Sequence, residues 1–231
     1  DRIVAVIEEF FASQQALAKK KVMITAGPTY EKLDPVRFIG NYSSGKMGFA
    51  IAEACAQAGA EVTLIAGPVS LKTTHPAIKR IDVESADEMY NAAVSAFEDS
   101  DAAIMCAAVA DYKPAECCDK KMKRSADDMT LKLVPNRDIA AALGAKKRDD
   151  QCLVGFALET NDEEANAQSK LAKKNLDFIV LNSLRDSGAG FGYDTNKVTF
   201  IHRSGEVEQQ ELKTKAQVAE DIALRLRKIL P

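Results

Sequence analysis

Residues 23–59 read MITAGPTYEKLDPVRFIGNYSSGKMGFAIAEACAQAG, and this stretch has three parts. The apolar run at 22–26 predicts a buried strand, which Gly27 ends. Residues 29–44 form a polar loop that is longer than most connections between a strand and a helix. A helix with one apolar face follows from about residue 46. Strand, loop and helix in this order predict an α/β protein.

The start of the predicted helix is expected to attract an anion. Gly45 lies at its first turn, and Ser43 or Ser44 can cap it by accepting a hydrogen bond from a free N–H group. Unpaired N–H groups and the positive end of the helix dipole converge at such a position. The favoured hypothesis is a phosphate-bearing ligand near Gly27 and Gly45. A well-capped helix after a long loop is the alternative.

The remainder of the chain alternates predicted strands with predicted helices. Strands are expected at 61–66, 78–83, 101–107, 129–134, 152–157 and 178–181, helices at 85–98, 138–147, 160–174 and 214–229, and a hairpin at 198–202 and 207–212. The pattern predicts a Rossmann-like, doubly wound α/β fold, with a mostly parallel sheet and a hairpin at one edge. We expect a single nucleotide-binding domain at 21–231, preceded by an N-terminal helix or junction at 1–20. Ligands of such sheets lie beyond the carboxyl ends of the strands.

The overall composition argues against several classes of protein. The chain has 231 residues, of which 46% are hydrophobic and 28% charged, as in folded globular proteins. Its net charge of −3 provides no general attraction to nucleic acid or membrane, and no apolar run reaches the length of a membrane span. The five cysteines lack C-x-x-C spacing, which favours a reduced, cytoplasmic protein. The two histidines, His75 and His202, lie far from any candidate nucleophile, which argues against a histidine-based triad.

Several side chains near predicted strand ends are candidates for ligand contacts. Asp111 could hold Mg²⁺ or a ribose hydroxyl, and Arg37 could bind a carboxylate or phosphate through two hydrogen bonds. Asn41 could donate to a carbonyl or an oxyanion. Each has an ordinary alternative, because Asp and Asn favour turns and most single arginines are solvated. Phe156 could stack on a base or fill the core.

Two groups of lysines are candidates for phosphate contacts. The basic cluster at 120–124 could be a solvated charge run, or a mobile lid that places ammonium groups on a triphosphate. Its position after a central strand favours the lid. Lys170 and Lys174 are four residues apart, so they project from one helix face towards a phosphate, a base or water.

A nicotinamide-dependent reductase is the main competing hypothesis for this fold. The fingerprint G-x-G-x-x-G is absent after the first strand, and no acidic residue ends the second strand. The spacing Y-x-x-x-K, which matches the catalytic pair of short-chain reductases, occurs at 42–46 and 193–197. One match lies in a loop and the other beside a hairpin, so we interpret both as chance. A catalytically silent nucleotide-binding module is a second alternative.

Six motifs occur in order along the chain. They are ITAGPT at 24–29, DPVR at 34–37, NYSSGKMG at 41–48, AAVADY at 107–112, KMK at 121–123 and GFALET at 155–160. In residues and spacing they resemble phosphopantothenoylcysteine synthetase of the bacterial type, from about Lys21 to the end of the chain. The resemblance implies a ligase of coenzyme A synthesis that joins 4′-phosphopantothenate to L-cysteine, with CTP and Mg²⁺. The acid would first form an acyl-cytidylate and release pyrophosphate, and the cysteine amine would then displace CMP.

The resemblance also implies roles for individual residues. Asn41 would hold the acyl-cytidylate carbonyl, Arg37 would position phosphopantothenate or the intermediate, and Lys121 would contact the triphosphate. Contacts to the substrate or intermediate are implied for Ser43, Ser44, Gly45, Ala107 and Ala108, and nucleotide contacts for Gly27, Asp111, Lys121, Asn136, Arg137, Asp138, Ile139, Phe156, Lys170 and Lys174. Asp111 is the candidate Mg²⁺ ligand. Residues 136–139 would recognise cytosine largely through their backbone.

The same resemblance implies partners within the protein's assembly. In bacteria this family is commonly the C-terminal half of a bifunctional protein whose N-terminal half is a decarboxylase. The first predicted helix resembles the junction between the two halves. The family is homodimeric, with its active site near the subunit interface, so a homodimer is expected here.

Overall fold

A computed structural model of the chain describes Arg2 and residues 15–124, 128–159, 163–183 and 192–230. Most of the helix predicted at 1–20 lies outside these residues. Its last part is a turn in which Leu17 is buried and donates its N–H to the Ala58 carbonyl at 2.8 Å. The start of the helix predicted at 160–174 also lies outside the described residues. Among the residues described, no helix is long and apolar enough to cross a membrane.

Strands and helices alternate along the described chain. The strands are β1 Lys21–Ala26, β2 Tyr30–Lys32, β3 Phe38–Gly40, β4 Glu61–Ala66, β5 Ile78–Asp82, β6 Ala102–Met105, β7 Tyr112–Pro114, β8 Leu133–Pro135, β9 Cys152–Glu159, β10 Phe178–Ser183, β11 Thr195–Asn196, β12 Val198–His202, β13 Val207–Gln209 and β14 Lys213–Thr214. The helices are α1 Lys46–Gln57, α2 Ala86–Glu98, α3 Ile139–Lys146, α4 Glu163–Lys173 and α5 Lys215–Ile229.

The central sheet has eight strands in the order β13-β12-β10-β9-β6-β1-β4-β5. The pairs from β10 to β5 are parallel, whereas β12 runs antiparallel to both β10 and β13. The predicted doubly wound sheet with an edge hairpin is therefore confirmed. The strand order changes direction at β1, which has β4 on one side and β6 on the other. Such a switch point is where ligands of open α/β sheets bind.

Helices cover both faces of the sheet because alternate residues of its buried strands point to opposite sides. Ile24 of β1 belongs to one core cluster, together with Ile51 of α1 and Ile222 of α5. Its neighbour Met23 belongs to the other cluster, which includes Met89 of α2 and further residues of α3 and α4. Continuous apolar strands, read from the sequence, thus correspond to a sheet that is buried on both faces.

The N-terminus of α1 differs from the prediction. Neither Ser43 nor Ser44 caps it: Gly45 is the N-cap residue, at φ 77°, and no side chain accepts a hydrogen bond there. Ser43 Oγ instead accepts from the Gly45 N–H at 3.3 Å. A left-handed conformation at this position is easily adopted only by glycine, and it turns the serines away from the first helical N–H groups. Those groups are left for a ligand or water.

Two short antiparallel pairs also depart from the predicted pattern. The strand predicted at 129–134 is wrong in extent. Only its last part, β8, pairs with another strand, β7, and the residues just before β8 are exposed. The loop at 29–44 contains β2 and β3, which pair with each other and were not expected. Strands of three residues carry too little alternation to be recognised from sequence.

Close packing of α1 on the end of β1 depends on Gly48. A Cβ atom at this position would lie 2.5 Å from the Ala26 Cβ. We predict that Gly48→Ala lowers the free energy of unfolding by about 1–3 kcal/mol, the usual effect of overpacking. In a helix with free space the same change would raise it by about 1 kcal/mol. Urea denaturation measures the sign, and a stabilised variant would contradict the tight contact.

Candidate active site

The carboxyl ends of β1 and β6, with the middle of β9, border a cleft of about 590 Å³. The cleft brings together most of the residues that were predicted to contact the nucleotide or the intermediate: Ala107, Ala108, Asp111, Asn136, Arg137, Asp138, Ile139, Phe156, Lys170 and Lys174. They come from four separate parts of the sequence. The cleft lies at the carboxyl ends of the strands, where ligands of a doubly wound sheet are expected to bind.

Residues 107–110 form one wall of this cleft and are fixed by the loop after β1. The Ala107 N–H donates to Thr25 Oγ1, at the end of β1, at 3.3 Å. The N–H groups of Ala108 and Ala110 donate to the loop itself, to Gly27 O at 2.9 Å and Thr29 Oγ1 at 3.0 Å. The side chains of this wall are small. A ligand can therefore approach its backbone closely.

Asn41 contacts the same wall. Its Nδ2 group donates to the carbonyls of Ala108 at 3.0 Å and Val109 at 3.2 Å. The side chain thus lies beside the predicted position of the intermediate. Its amide hydrogens are directed at the protein backbone, so a substrate carbonyl would have to replace one of these acceptors.

Arg37 is held by residues 118–124, which we call the lysine segment. Its Nη2 group donates to the Met122 carbonyl at 2.8 Å. The buried carboxylate of Asp34 accepts from the N–H groups of Val36 and Arg37, both at 2.8 Å, and from that of Met122 at 3.1 Å. Asp34 therefore fixes the loop after β1 to the lysine segment, a role that sequence reasoning missed.

The environment of Asp34 favours its charged form. Burial alone would raise its pKa, but the N–H groups of Val36, Met122 and Arg37, together with the guanidinium charge, hold the pKa below its usual value. Lys121, next to Met122, is exposed and is not among the described residues that line the cleft. Arg37, like Lys121, is absent from the described residues that line the cleft, and its contact with Met122 places it next to Lys121 in the fold.

Arg137 lines the cleft, and its side chain packs on α2. Its Nε and Nη2 atoms lie 3.2 Å and 2.9 Å from Asp87 Oδ1, and its guanidinium carbon is 3.7 Å from the centre of the Tyr90 ring. Lys113 also pairs with Asp87, and Lys113 and Arg137 together lower the pKa of this carboxyl. The side chain therefore anchors residues 136–139.

Asn136 is the member of this segment with a buried polar atom that has no hydrogen-bond partner. Its N–H donates to the Asp111 carbonyl and its Nδ2 to the Ala110 carbonyl, both at 2.8 Å. Its Oδ1 is buried and has no hydrogen-bond partner. An unpaired buried acceptor of this kind is suited to a ligand N–H group.

The opposite side of the cleft carries positive charge. Lys170 and Lys174 both line it, as their spacing predicted. Lys174 pairs with Asp138 at 3.0 Å, and the Asp138 carboxylate also accepts from the Ala141 N–H at 3.0 Å as the N-cap of α3. Asp138 therefore positions both the helix and the lysine.

A second cavity, of about 170 Å³, lies at the N-terminus of α1. Ser43, Ser44 and Gly45 line it, and it shares Ala107, Ala108 and Phe156 with the larger cleft. Cys106 lines it as well, but burial raises the pKa of this thiol to about 12, so the thiol is protonated at neutral pH and is not a nucleophile.

Asp111 is exposed at the rim of the larger cleft. The part of the chain that the structure describes contains no group of three His, Cys, Asp or Glu residues that could hold a metal ion. A single carboxylate is nevertheless sufficient for Mg²⁺ that arrives on nucleotide phosphates, because such an ion keeps phosphate and water ligands. The exposed carboxylate of Asp111 fits that mode of binding.

The arrangement does not support a short-chain reductase. Tyr42, the first tyrosine of a Y-x-x-x-K match, is 95% exposed, and Lys46 of that match pairs with Asp194 at 2.7 Å. The two side chains do not form a catalytic pair. The interpretation of this match as chance is consistent with their positions.

Residues 17–230 match the family described as DNA/pantothenate metabolism flavoprotein C-terminal domain. The chain belongs to this family. A Bacillus subtilis (strain 168) protein, coenzyme A biosynthesis bifunctional protein CoaBC, is 47% identical over 224 residues, which cover 96% of this chain and 55% of that protein. A protein of an unknown prokaryotic organism, named cysteine/cysteine sulfinic acid decarboxylase, is 53% identical over 234 residues, or 100% of this chain and 64% of that protein.

A solved structure of the family has the same fold. The crystal structure of the C-terminal domain of the coenzyme A biosynthesis bifunctional protein CoaBC matches with a TM-score of 0.80 and 40% identity, over 93% of this chain and 97% of that chain. The two curated relatives are longer: this chain spans 55% and 64% of their lengths. The site described above thus lies on the C-terminal domain fold of this family.

We predict that Asp34→Asn loosens the lysine segment, because an amide cannot accept all three N–H groups that the carboxylate binds. Hydrogen exchange at the Met122 amide should become about tenfold faster at neutral pH. Asp119→Asn, which changes an exposed carboxylate in the same segment, is the control and should leave exchange unchanged.

The effect of Asp34 should depend on pH in a defined direction. Because its folded-state pKa is lowered, its contribution is present above the pKa of the unfolded chain and is lost as the pH falls through the folded-state value. The difference in Met122 protection between wild type and Asp34→Asn should therefore vanish in acid. Equal protection at neutral pH would contradict the assigned role.

Proposed function

We propose that this chain is a phosphopantothenate–cysteine ligase that uses CTP and releases CMP and pyrophosphate. The observation that carries the proposal is the cleft at the switch point of the sheet, in which residues 107–111 and 136–139 face Phe156, Lys170 and Lys174. The names of the CoaBC relative and of the solved CoaBC domain support the pathway, coenzyme A biosynthesis.

The larger cleft suits an aminopyrimidine nucleotide. The unpaired Oδ1 of Asn136 would accept from the exocyclic amine of cytosine, and the backbone of 136–139 would contact the remaining edge of the base. Phe156 would contact the nucleotide where the two cavities meet. Lys170 and Lys174 would bind phosphate oxygens as charged donors.

The reaction needs positioned substrates rather than a protein nucleophile. The carboxylate of 4′-phosphopantothenate attacks the α-phosphorus of CTP, an acyl–phosphate bond forms and pyrophosphate leaves. The amine of L-cysteine then attacks the acyl carbon, CMP leaves and the amine loses a proton. Asn41 would hold the acyl carbonyl in exchange for its longer contact, to Val109, beside the backbone of Ala107 and Ala108.

Charged groups would surround the leaving pyrophosphate. Lys121, placed by the Asp34 and Arg37 contacts to Met122, would bind the triphosphate when the lysine segment moves over the cleft. Asp111 would hold Mg²⁺ together with the nucleotide phosphates. Bound there, the ion would neutralise phosphate charge.

We further propose that the domain acts as a homodimer and next to a decarboxylase domain in the same pathway. The short pairs β2–β3 and β7–β8 expose apolar side chains, including those of Phe38, Tyr112 and Leu133, which suit a subunit interface. All five cysteines are free thiols, which fits the predicted cytoplasmic location. Residues 21–231 would form the synthetase domain and residues 1–20 the junction.

Pyrophosphate release tests the proposed reaction. With 4′-phosphopantothenate and Mg²⁺, steady release should require L-cysteine and should be faster with CTP than with ATP. A preference for ATP would keep the ligase and reject the cytosine contacts of Asn136. Carbon dioxide release from cysteine or cysteine sulfinic acid, without pyrophosphate, would instead place the chain's activity with its decarboxylase-named relative.

Lys121 should be needed for the first chemical step. We predict that Lys121→Gln lowers the single-turnover rate of pyrophosphate release by about 100-fold, the effect of removing one charged group from a developing oxyanion. Lys132→Gln changes an exposed lysine that has no role in the site, and its rate should stay normal. Equal losses in both variants would show a general effect of surface charge.

A further inference from the structure

Two adjacent cysteines, Cys117 and Cys118, lie at the start of the lysine segment, and the proposed reaction uses neither of them. Both are exposed free thiols. The Cys117 Sγ has a weak contact with the Cys118 carbonyl oxygen, at 3.9 Å. Two neighbouring thiols that reagents in solution can reach form a vicinal dithiol, in which one thiol can attack a reagent already bound to the other.

The three other cysteines of the chain are protected by burial. Cys55 and Cys152 are buried, and Cys106 is partly buried. Burial raises the pKa of the Cys55 and Cys106 thiols to about 12, and it raises the pKa of Cys152 well above its usual value. Disulfide exchange requires the thiolate, which these three residues barely form at neutral pH. Oxidation of the reduced chain is therefore expected at residues 117–118.

The sequence around the two exposed thiols carries an excess of positive charge. Residues 116–124 read ECCDKKMKR, with four basic and two acidic side chains, all of them exposed. Lys32, which pairs with Glu84 at 2.6 Å, also interacts electrostatically with Cys117. An exposed excess of positive charge attracts negatively charged small molecules and speeds their reactions at low ionic strength.

The peptide group between the two cysteines also attaches the lysine segment to the loop after β1. Its N–H, that of Cys118, donates to the Leu33 carbonyl at 3.0 Å. Close to this contact in the sequence, Asp34 accepts from the Met122 N–H and Arg37 donates to the Met122 carbonyl. The two thiols thus flank one of the hydrogen bonds that hold the lysine segment in place.

A disulfide between Cys117 and Cys118 would enclose this same peptide group in a small ring. Consecutive Cα atoms are about 3.8 Å apart, whereas most disulfides join Cα atoms that are roughly 4.4–6.8 Å apart. The ring can therefore close only if the peptide group turns, and its N–H then no longer points at the Leu33 carbonyl. Strained and exposed disulfides are easily reduced again, as is typical of regulatory ones.

We propose that a negatively charged low-molecular-weight disulfide oxidises Cys117 and Cys118 to a vicinal disulfide, and that this change detaches the lysine segment from the loop after β1. The thiolate of one cysteine attacks a sulfur of the reagent, RSSR, forms a mixed disulfide and releases RS⁻. The neighbouring thiolate attacks the cysteine sulfur of that mixed disulfide, forms the bond between the two cysteines and releases a second RS⁻. The protein loses two electrons and two protons, and RSSR becomes two RSH.

The thiol chemistry is independent of the proposed ligase, whereas its effect on catalysis rests on that function. Lys121 would no longer be placed for the triphosphate, so the oxidised chain would activate the acid substrate more slowly. The second substrate of the proposed reaction, L-cysteine, is itself a thiol. Conditions that convert this substrate to its disulfide would therefore also slow the step that precedes its use.

Oxidation of the full, reduced chain with glutathione disulfide tests the proposal. After alkylation of the remaining thiols, mass spectrometry of the peptide that contains both cysteines should show the loss of two hydrogen atoms and no glutathione. Cys117→Ser and Cys118→Ser each retain one exposed thiol and should instead accumulate a mixed disulfide with glutathione. A stable glutathione adduct in the wild type, or a disulfide between two chains, would overturn the proposal.

Hydrogen exchange measures the detachment of the lysine segment. In the oxidised chain the Met122 amide, which donates to Asp34, should exchange about tenfold faster than in the reduced chain, and a dithiol reductant should restore its protection. The double variant with Cys117→Ser and Cys118→Ser is the control, and glutathione disulfide should leave its exchange unchanged. A vicinal disulfide that forms without a change at Met122 would overturn the detachment.

The charge of the reagent is tested with a neutral disulfide, hydroxyethyl disulfide. Oxidation by glutathione disulfide should slow as the ionic strength rises from about 0.01 M to about 1 M, because salt screens the attraction to the basic side chains. Oxidation by hydroxyethyl disulfide should not depend on salt. The same salt dependence for both reagents would reject the negatively charged class.

A single-turnover assay of pyrophosphate release separates this proposal from the ligase. L-Cysteine is omitted, because its thiol would reduce the disulfide. Oxidation should slow release at least about tenfold in the wild type and leave the double variant unchanged. Release that ignores a disulfide known to have formed would keep the ligase and reject the effect on catalysis. No release from either form, with oxidation and exchange as expected, would keep the vicinal dithiol and reject the ligase.

Discussion

Hydrogen bonds from the backbone at 107–110 to the end of β1 and the loop after it fix the wall that the two cavities share. Thr25, Gly27 and Thr29 accept the N–H groups of this backbone, and Asn41 donates to two of its carbonyls. The end of the central strand β6 thereby becomes a rigid wall without large side chains. Both cavities share this wall, so its position sets how they lie relative to each other.

The parts of the molecule that sequence could predict are those determined by solvent exclusion and chain direction. Buried parallel strands appear as apolar runs, so β1, β4, β6 and β9 could be located. Asp111, which follows β6, and Phe156, which lies within β9, line one cleft. The spacing of Lys170 and Lys174 put both on one side. The resemblance to a known family supplied the segment at 136–139, which composition and periodicity do not single out.

The parts that could not be predicted depend on contacts between residues far apart in the chain. Arg137 looks like a candidate ligand contact, but its partners Asp87 and Tyr90 are determined by how α2 packs. Asp34 looks like a turn residue, and only the fold shows that Met122 donates to it. The cap of α1 fails for a local reason: both serines precede Gly45, whose positive φ separates them from the helix. Sequence gives the type of a polar residue, whereas its partner is a property of the whole fold.

A reaction between ligands in two cavities that share a wall depends on position more than on reactive side chains. The thiol of Cys106, which lines the smaller cavity, is half-buried and its pKa is raised to about 12, so it is protonated and would not compete for an activated acyl group. Holding a carboxylate next to a phosphorus atom removes much of the entropic barrier to their reaction, but only if the groups that hold them are themselves fixed. Here those groups are backbone atoms that already have hydrogen-bond partners, and the arrangement therefore exists before any ligand binds. In the proposed function the lysine segment, which is separate from this wall, carries the charge that the transition state requires, so the wall that orients the substrates stays undisturbed.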